Sequence, residues 1–282
     1  YEADAFINQL SHYCVDSEYG MARRTNSYFM EHPTWPSEWL LHTVLLFYYD
    51  FLYTGDTCVL RDNYDLLKLK TLMDLEREDA LISSIPLNDN TALKAALGFK
   101  NPDTRIRDIV DWPPAQKDTG WKLATEEGER DGYEFKDINT VVNAFYYQNL
   151  KLMSDIASCL GKKEDSLLFR QKAEQVYKSV NQKLFDPLRG VYLDGEGSEH
   201  ASLHANMFPL AFDLVPEEHM ETVLAFIKSR GMACSVYGAQ YLLEGLYKHG
   251  EAEYATELIR DTIGDRNWAN MLKVGSTMTL EA

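Results

Sequence analysis

Positive charge is what this chain most lacks. Its 282 residues carry 28 Lys and Arg against 44 Asp and Glu, a formal net charge of −16. So acidic a surface repels phosphate backbones and anionic headgroups, which argues against nucleic acid and membrane surfaces as partners. No apolar run is long enough to cross a bilayer. Cysteine is scarce too: Cys14, Cys58, Cys159 and Cys234 stand singly with no CxxC pair, which argues against a zinc ribbon or a thioredoxin-type site. Each sits in an apolar context and is expected to be a small buried hydrophobe. The G-x-S-x-G elbow, the P-loop and G-x-G-x-x-G are all missing, removing serine hydrolase, NTPase and dinucleotide readings. Strand patterning is confined to Gly190-Val191-Tyr192-Leu193-Asp194. With no Pro-, Ser- or charge-rich linker, residues 1–282 read as one domain. The chain opens at Tyr1 without a charged-then-apolar leader and closes at Ala282 without a polar tail. Both ends read as cuts in a longer polypeptide, and the compartment stays open between periplasmic, secreted and cytoplasmic.

What is present is helical spacing of apolar residues over most of the length. A helix is expected over 36–53, with Leu41, Val44, Leu45, Tyr48, Phe51 and Leu52 on one broad face, followed after Gly55 by a second over 57–79. The figure repeats at 137–160 and 164–185 around Gly161, and at 237–249 and 251–263 around Gly250. Further helices are expected near 4–18, 200–215 and 216–229. Helix, short Gly-containing turn and returning helix make antiparallel hairpins. Their irregular spacing argues against a regular repeat array. An open solenoid and an α/α toroid both fit, and the all-round apolar 137–160 helix suits the inner ring of a toroid.

The long stretches read as loops, about 81–91, 100–136 and 264–280, are too long to be mere connectors. They hold Asp108, Asp111, Trp112, Trp121, Trp268 and the acids around 126–131, while Trp35 and Trp39 flank a helix start beside Glu38. In Asp111-Trp112-Pro113-Pro114 two prolines stiffen the backbone. An indole face and a carboxylate held together suit a pyranose, whose C–H face packs on the ring while its hydroxyls donate to the acid. The alternative is a Trp that plugs the core.

Glycoside hydrolysis needs two carboxyl groups, one to protonate the leaving oxygen and one to activate water. The candidates are Asp4, Glu38, Asp108, Asp111, Glu126, Glu127, Glu134 and Glu281. Glu281 closes an uncharged run from Val274 to Leu280, which points to a pocket and a raised pKa. Asp4 opens a helix, where capping is the simpler role. His200 and His204 stand i, i+4 on an expected helix, but without the Glu of H-E-x-x-H or a third ligand no metal site is assigned. A sugar contact or a satisfied core histidine is the reading for His204.

Asp111-Trp112-Pro113-Pro114, Ala144-Phe145-Tyr146-Tyr147 and Tyr237-Gly238-Ala239-Gln240-Tyr241-Leu242-Leu243-Glu244 resemble the bacterial α-L-rhamnosidases of glycoside hydrolase family 78. So do Phe185-Asp186-Pro187, Gly190-Val191-Tyr192-Leu193-Asp194-Gly195, His204-Ala205-Asn206 and Gly275-Ser276-Thr277-Met278-Thr279-Leu280-Glu281, all in collinear order. The resemblance implies an all-α (α/α)6 barrel and an inverting mechanism without cofactor. It implies Glu281 as general base and Asp4 as a rhamnose ligand, with the general acid a few residues ahead of Tyr1. Trp35, Glu38, Trp39, Asp111, Trp112 and His204 would complete the sugar pocket. A carbohydrate substrate and flanking β-rich domains of the same polypeptide are the implied partners. Where the family often ends in Trp-Glu-Arg, this chain has Leu280-Glu281-Ala282. Two alternatives stay open: another α/α-toroid carbohydrate enzyme, such as an unsaturated uronyl hydrolase or a polysaccharide lyase, and a non-catalytic scaffold that binds glycans or proteins.

Overall fold

In the computed structural model, residues 1–114 and 128–280 are described. The chain is all-α: twelve α-helices among the described residues, with one two-stranded antiparallel hairpin. It forms two compact units, Tyr1–Asp108 with Val142–Gln182, and Ile109–Val141 with Lys183–Ala282.

The first unit holds α1 (Glu2–Val15), α2 (Gly20–Glu31), α3 (Ser37–Thr54), α4 (Cys58–Lys70) and α5 (Thr91–Ala96). Most of α6 (Thr140–Cys159) and α7 (Lys163–Lys183) belongs to it as well. Every residue of α3 from Ser37 to Phe47 is buried, and Gly55 ends the helix in the left-handed conformation at φ +69°. By contrast α4 and α7 each bury one stripe, Leu60, Tyr64 and Leu67 in α4 and Phe169, Ala173, Val176 and Val180 in α7. Helices buried all round alternate with helices buried on one side, as paired layers require.

The helix expected over 57–79 stops at Lys70, because α6 captures the chain beyond it. The Asn143 amide accepts from the Ile82 N–H at 2.8 Å and donates to the Ile82 carbonyl at 3.1 Å. Tyr146 and Lys172 donate to the Glu76 carboxylate, each at 2.6 Å. Leu72 turns left-handed at φ +61°, and a short 3-10 turn, Met73–Leu75, replaces the last helical turns.

The second unit holds β1 (Phe185–Asp186) and β2 (Val191–Tyr192). Phe185 therefore pairs with Tyr192 instead of ending the preceding helix. Next come α8 (Leu203–Ala211), α9 (Met220–Arg230), α10 (Val236–Lys248), α11 (Ala252–Arg260) and α12 (Trp268–Lys273). All nine residues of α8 are buried. Gly245 lets α10 approach it: a β-carbon there would stand 3.2 Å from the Ala211 nitrogen and from the Leu210 side chain.

Other expectations are corrected. α5, α12 and the 3-10 turn Ile85–Asn88 lie in or beside stretches read as loops. Helix α2 went unread, since of its three buried residues only Phe29 and Met30 are apolar and the third is Asn26. His200 precedes α8, which Ser202 caps by accepting from the Ala205 N–H at 3.1 Å, so His200 and His204 do not share a helix face. Only Cys234 is buried; Cys14, Cys58 and Cys159 sit at exposed positions near helix ends.

Candidate active site

Asp111 is bonded through both its backbone and its carboxylate. Its backbone closes a three-residue turn, donating to the Ile109 carbonyl at 2.6 Å across Val110, which is held at φ +63°. A β-branched residue in that region is costly unless its surroundings over-determine it. Arg130 supplies the constraint, its Nε donating to the carbonyls of Ile109 at 2.8 Å and Asp111 at 2.9 Å. The Asp111 carboxylate is 1% exposed. Oδ2 accepts from His204 Nε2 at 2.7 Å and from the Ser235 N–H at 3.0 Å. Oδ1 accepts from the Trp112 N–H at 2.8 Å and from the Ser235 hydroxyl.

These four donors match the roughly four lone-pair positions of an ionised carboxylate. The expected role of Asp111 as acceptor for sugar hydroxyls is thus already taken by protein groups. Asp111 instead ties the Trp112 loop to the N-terminal turns of α8 and α10. Ser235 caps α10, its oxygen accepting from the Tyr237 N–H at 3.1 Å and the Gly238 N–H at 3.3 Å. Gly238 is the residue that admits the carboxylate, since a β-carbon there would lie 2.8 Å from Oδ2. His204 is fully buried on α8, and among the described residues its Nδ1 meets no hydrogen-bond partner.

A second carboxylate organises the chain before α8. Asp194, fully buried, accepts from His200 Nδ1 at 2.6 Å and from the N–H groups of Glu134 at 2.8 Å and Ser202 at 2.9 Å. The two histidines thus answer to different acids.

Beside the Asp111 turn lies a cavity of about 330 Å³, lined by Glu129, Cys234, Ser235, Arg266, Trp268 and Leu280 among others. Sequence reasoning did not single out Glu129. Its N–H donates to the Pro113 carbonyl at 2.9 Å, and its carboxylate oxygen Oε2 pairs with Arg266. Burial pushes its pKa up to about 7, with the Asp111 charge adding to the shift and Arg266 opposing it. Burial, with Asp111 and Glu129 nearby, also drives the Cys234 thiol well up, so it stays protonated and inert.

The remaining expected residues lie in the first unit. Glu38 and Trp39 are buried in the first turn of α3. Trp39 packs edge-on against Tyr1 with centroids 4.7 Å apart, and among the described residues its Nε1 meets no hydrogen-bond partner. Trp35 is half-buried, lines an open cleft of about 590 Å³, and has the Arg107 guanidinium over its ring at 4.6 Å. Asp4 is exposed and lines a cleft of about 430 Å³ with Asn8, Gln9 and Asn26. Within the second unit Asp111, Trp112 and His204 come together, Trp112 half-buried. Trp121, Glu126, Glu127 and Glu281 lie outside the described residues. Much of the uncharged run leading to Glu281 is exposed, but Leu280 meets the cavity wall. Among the described residues no group of three His, Cys, Asp or Glu is arranged to hold a metal ion, and no helix is long and apolar enough to cross a membrane.

A family model described as the bacterial alpha-L-rhamnosidase 6 hairpin glycosidase domain matches residues 22–282. The fold is shared with solved rhamnosidases at low sequence identity. A family 78 rhamnosidase of Bacillus sp. GL1 superposes with a TM-score of 0.63 at 16% identity, over 86% of this chain and 22% of its own. An α-L-rhamnosidase from Dictyoglomus thermophilum gives 0.62 at 18%, over 88% and 25%. A rhamnosidase from Klebsiella oxytoca, solved with rhamnose bound, gives 0.62 at 12%, over 86% and 40%. The chain thus spans between about a fifth and two fifths of the length of these structures.

Proposed function

Because the chain belongs to the bacterial α-L-rhamnosidase six-hairpin glycosidase family, and is thereby a glycoside hydrolase domain, we propose that it releases terminal α-L-rhamnose from glycans or glycosides with inversion. Residues 1–282 act as one catalytic domain within a longer protein, flanked by β-rich domains. Glu281 takes a proton from water as the oxygen attacks the anomeric carbon. A second carboxyl protonates the departing oxygen as its bond to that carbon breaks; the family's pattern has a glutamate for this ahead of the Asp4 position. Two carboxyl groups about 6.5–9.5 Å apart admit the water between them, and no cofactor is needed.

The observation that carries this reading is the cavity wall running from Trp268 to Leu280, the residue before Glu281. It offers an aromatic residue for the sugar to pack on. Trp112 is proposed as a second aromatic contact, with Asp111 and His204 acting on the sugar through the loop they position. Asp4, Trp35, Glu38 and Trp39 are proposed as further substrate-binding residues.

Proton NMR of the first-formed sugar tests the proposal. Hydrolysis of p-nitrophenyl α-L-rhamnopyranoside should give the β-anomer first, mutarotating later. The α-anomer first would rule out inversion. Turnover confined to other glycosides would displace the substrate assignment and leave the family standing.

A further inference from the structure

We propose that Glu129 is a substrate contact, its uncommitted carboxyl oxygen hydrogen-bonding a hydroxyl of a neutral sugar seated on Trp268, and that Arg266 is the positioning residue that aims it. This rests on the rhamnosidase reading of the cavity and adds two residues that the family resemblance did not supply.

Three observations support it. Glu129 is only 6% exposed, lines the cavity, and bonds through its side chain to Arg266 alone among the described residues, by Oε2. Among the described residues no group donates to its Oε1. Glu129 lines the cavity, where that oxygen is placed to accept from a ligand's hydroxyl. Next, both residues stand on firm supports. The Glu129 backbone is pinned to Pro113, and Arg130 beside it clamps the Asp111 turn. Arg266 is also held by its Nε donating to the Met232 carbonyl at 3.2 Å. A contact residue needs such a frame to hold its geometry. Finally, Trp268 lines the same cavity at the start of α12, which Asn267 fixes by accepting from the Asn270 N–H at 2.8 Å. A ring face and a hydrogen-bonding carboxyl in one cavity meet the two faces of a sugar. A carboxyl poised near neutrality both accepts from a hydroxyl and, when protonated, donates to one.

The competing role is an ion pair that fastens the 264–267 turn to the 128–132 segment. The two roles differ in what a substitution changes.

The test uses Glu129→Ala, Glu129→Gln, Arg266→Ala and Arg266→Lys in the full protein, with p-nitrophenyl α-L-rhamnopyranoside kinetics and melting temperatures for each. As a substrate contact, Glu129→Ala raises KM about tenfold or more while kcat stays within about threefold. Glu129→Gln, which can still hydrogen-bond, raises it less. Arg266→Ala raises KM about three- to fivefold, and Arg266→Lys recovers part of that. A KM within twofold of wild type for Glu129→Ala, with a fall in melting temperature, overturns the proposal in favour of the ion pair. If the wild type hydrolyses no rhamnoside, the rhamnosidase reading fails, and NMR titration with a panel of neutral monosaccharides decides the inference separately. Sugar binding lost in Glu129→Ala then upholds it, while no sugar binding, or binding unchanged in the variant, overturns it.

Discussion

Asp111 and Glu129 are two buried acids of the same unit, and they differ in what their oxygens meet. Asp111 gives both oxygens to four protein donors from three segments of chain. Glu129 meets one guanidinium and keeps an oxygen for the cavity. A carboxylate with every lone pair claimed is architecture, because nothing is left with which to bind. A carboxylate with one oxygen uncommitted, its pKa pushed up to about 7, is available for chemistry. Burial alone does not separate the two; the tally of donors does.

The sharpest way to break this comparison is to remove the carboxylate from each site. Asp111→Ala strands the His204 ring N–H, the Ser235 N–H and the Ser235 hydroxyl in a buried place. Each abandoned donor costs about 1–3 kcal/mol, so the variant should lose about 3 kcal/mol or more, read as a lowered urea midpoint. Glu129→Ala should leave that midpoint nearly unmoved. Equal losses in the two variants would erase the distinction.

A smaller effect is expected at Trp112. Replacing it with Ala should raise KM severalfold while the urea midpoint changes much less than in Asp111→Ala, since the half-buried ring is proposed to meet the sugar. An unchanged KM with a large fall in the midpoint would make the ring a core plug, the alternative left open by the sequence.

A further effect is on the pH dependence of stability. Because burial raises the pKa of folded Glu129 from its ordinary 4.5 to about 7, the folded state holds that proton more tightly than the unfolded chain does. Its contribution to stability is greatest below about pH 4.5 and declines as pH rises toward 7, where the buried group must ionise. Urea midpoints across that window should fall less steeply with pH in Glu129→Gln than in wild type. Identical slopes would show that burial does not tune this group.

The contrast also explains what the sequence could and could not disclose. Helices such as α3, α4 and α7 are written in apolar spacing, a local property, and they were legible. Helix α2 was not, because Asn26 fills a buried position that an apolar residue would have advertised. The early stop of α4 comes from Asn143, Tyr146 and Lys172, far along the chain, and no local signal carries it. At the site the sequence singled out Asp111, Trp112 and His204, and these do converge, yet their division of labour depends on Ser235 and on the opening at Gly238. Glu129 was one acid among 44. What sets it apart, the neighbouring Pro113 carbonyl, Arg266 and the cavity, is assembled only by folding.

The central claim is that this domain contributes the carboxylate that activates water in rhamnoside hydrolysis. It is tested most directly by p-nitrophenol release from p-nitrophenyl α-L-rhamnopyranoside, comparing the full protein with its Glu281→Gln variant at matched concentration. Positioned proton transfer contributes about 10²- to 10⁴-fold, so kcat should fall by that factor while melting temperature and KM stay close to wild type. A Glu281→Gln variant that keeps kcat within a few-fold of wild type would contradict the account and move the base to another residue.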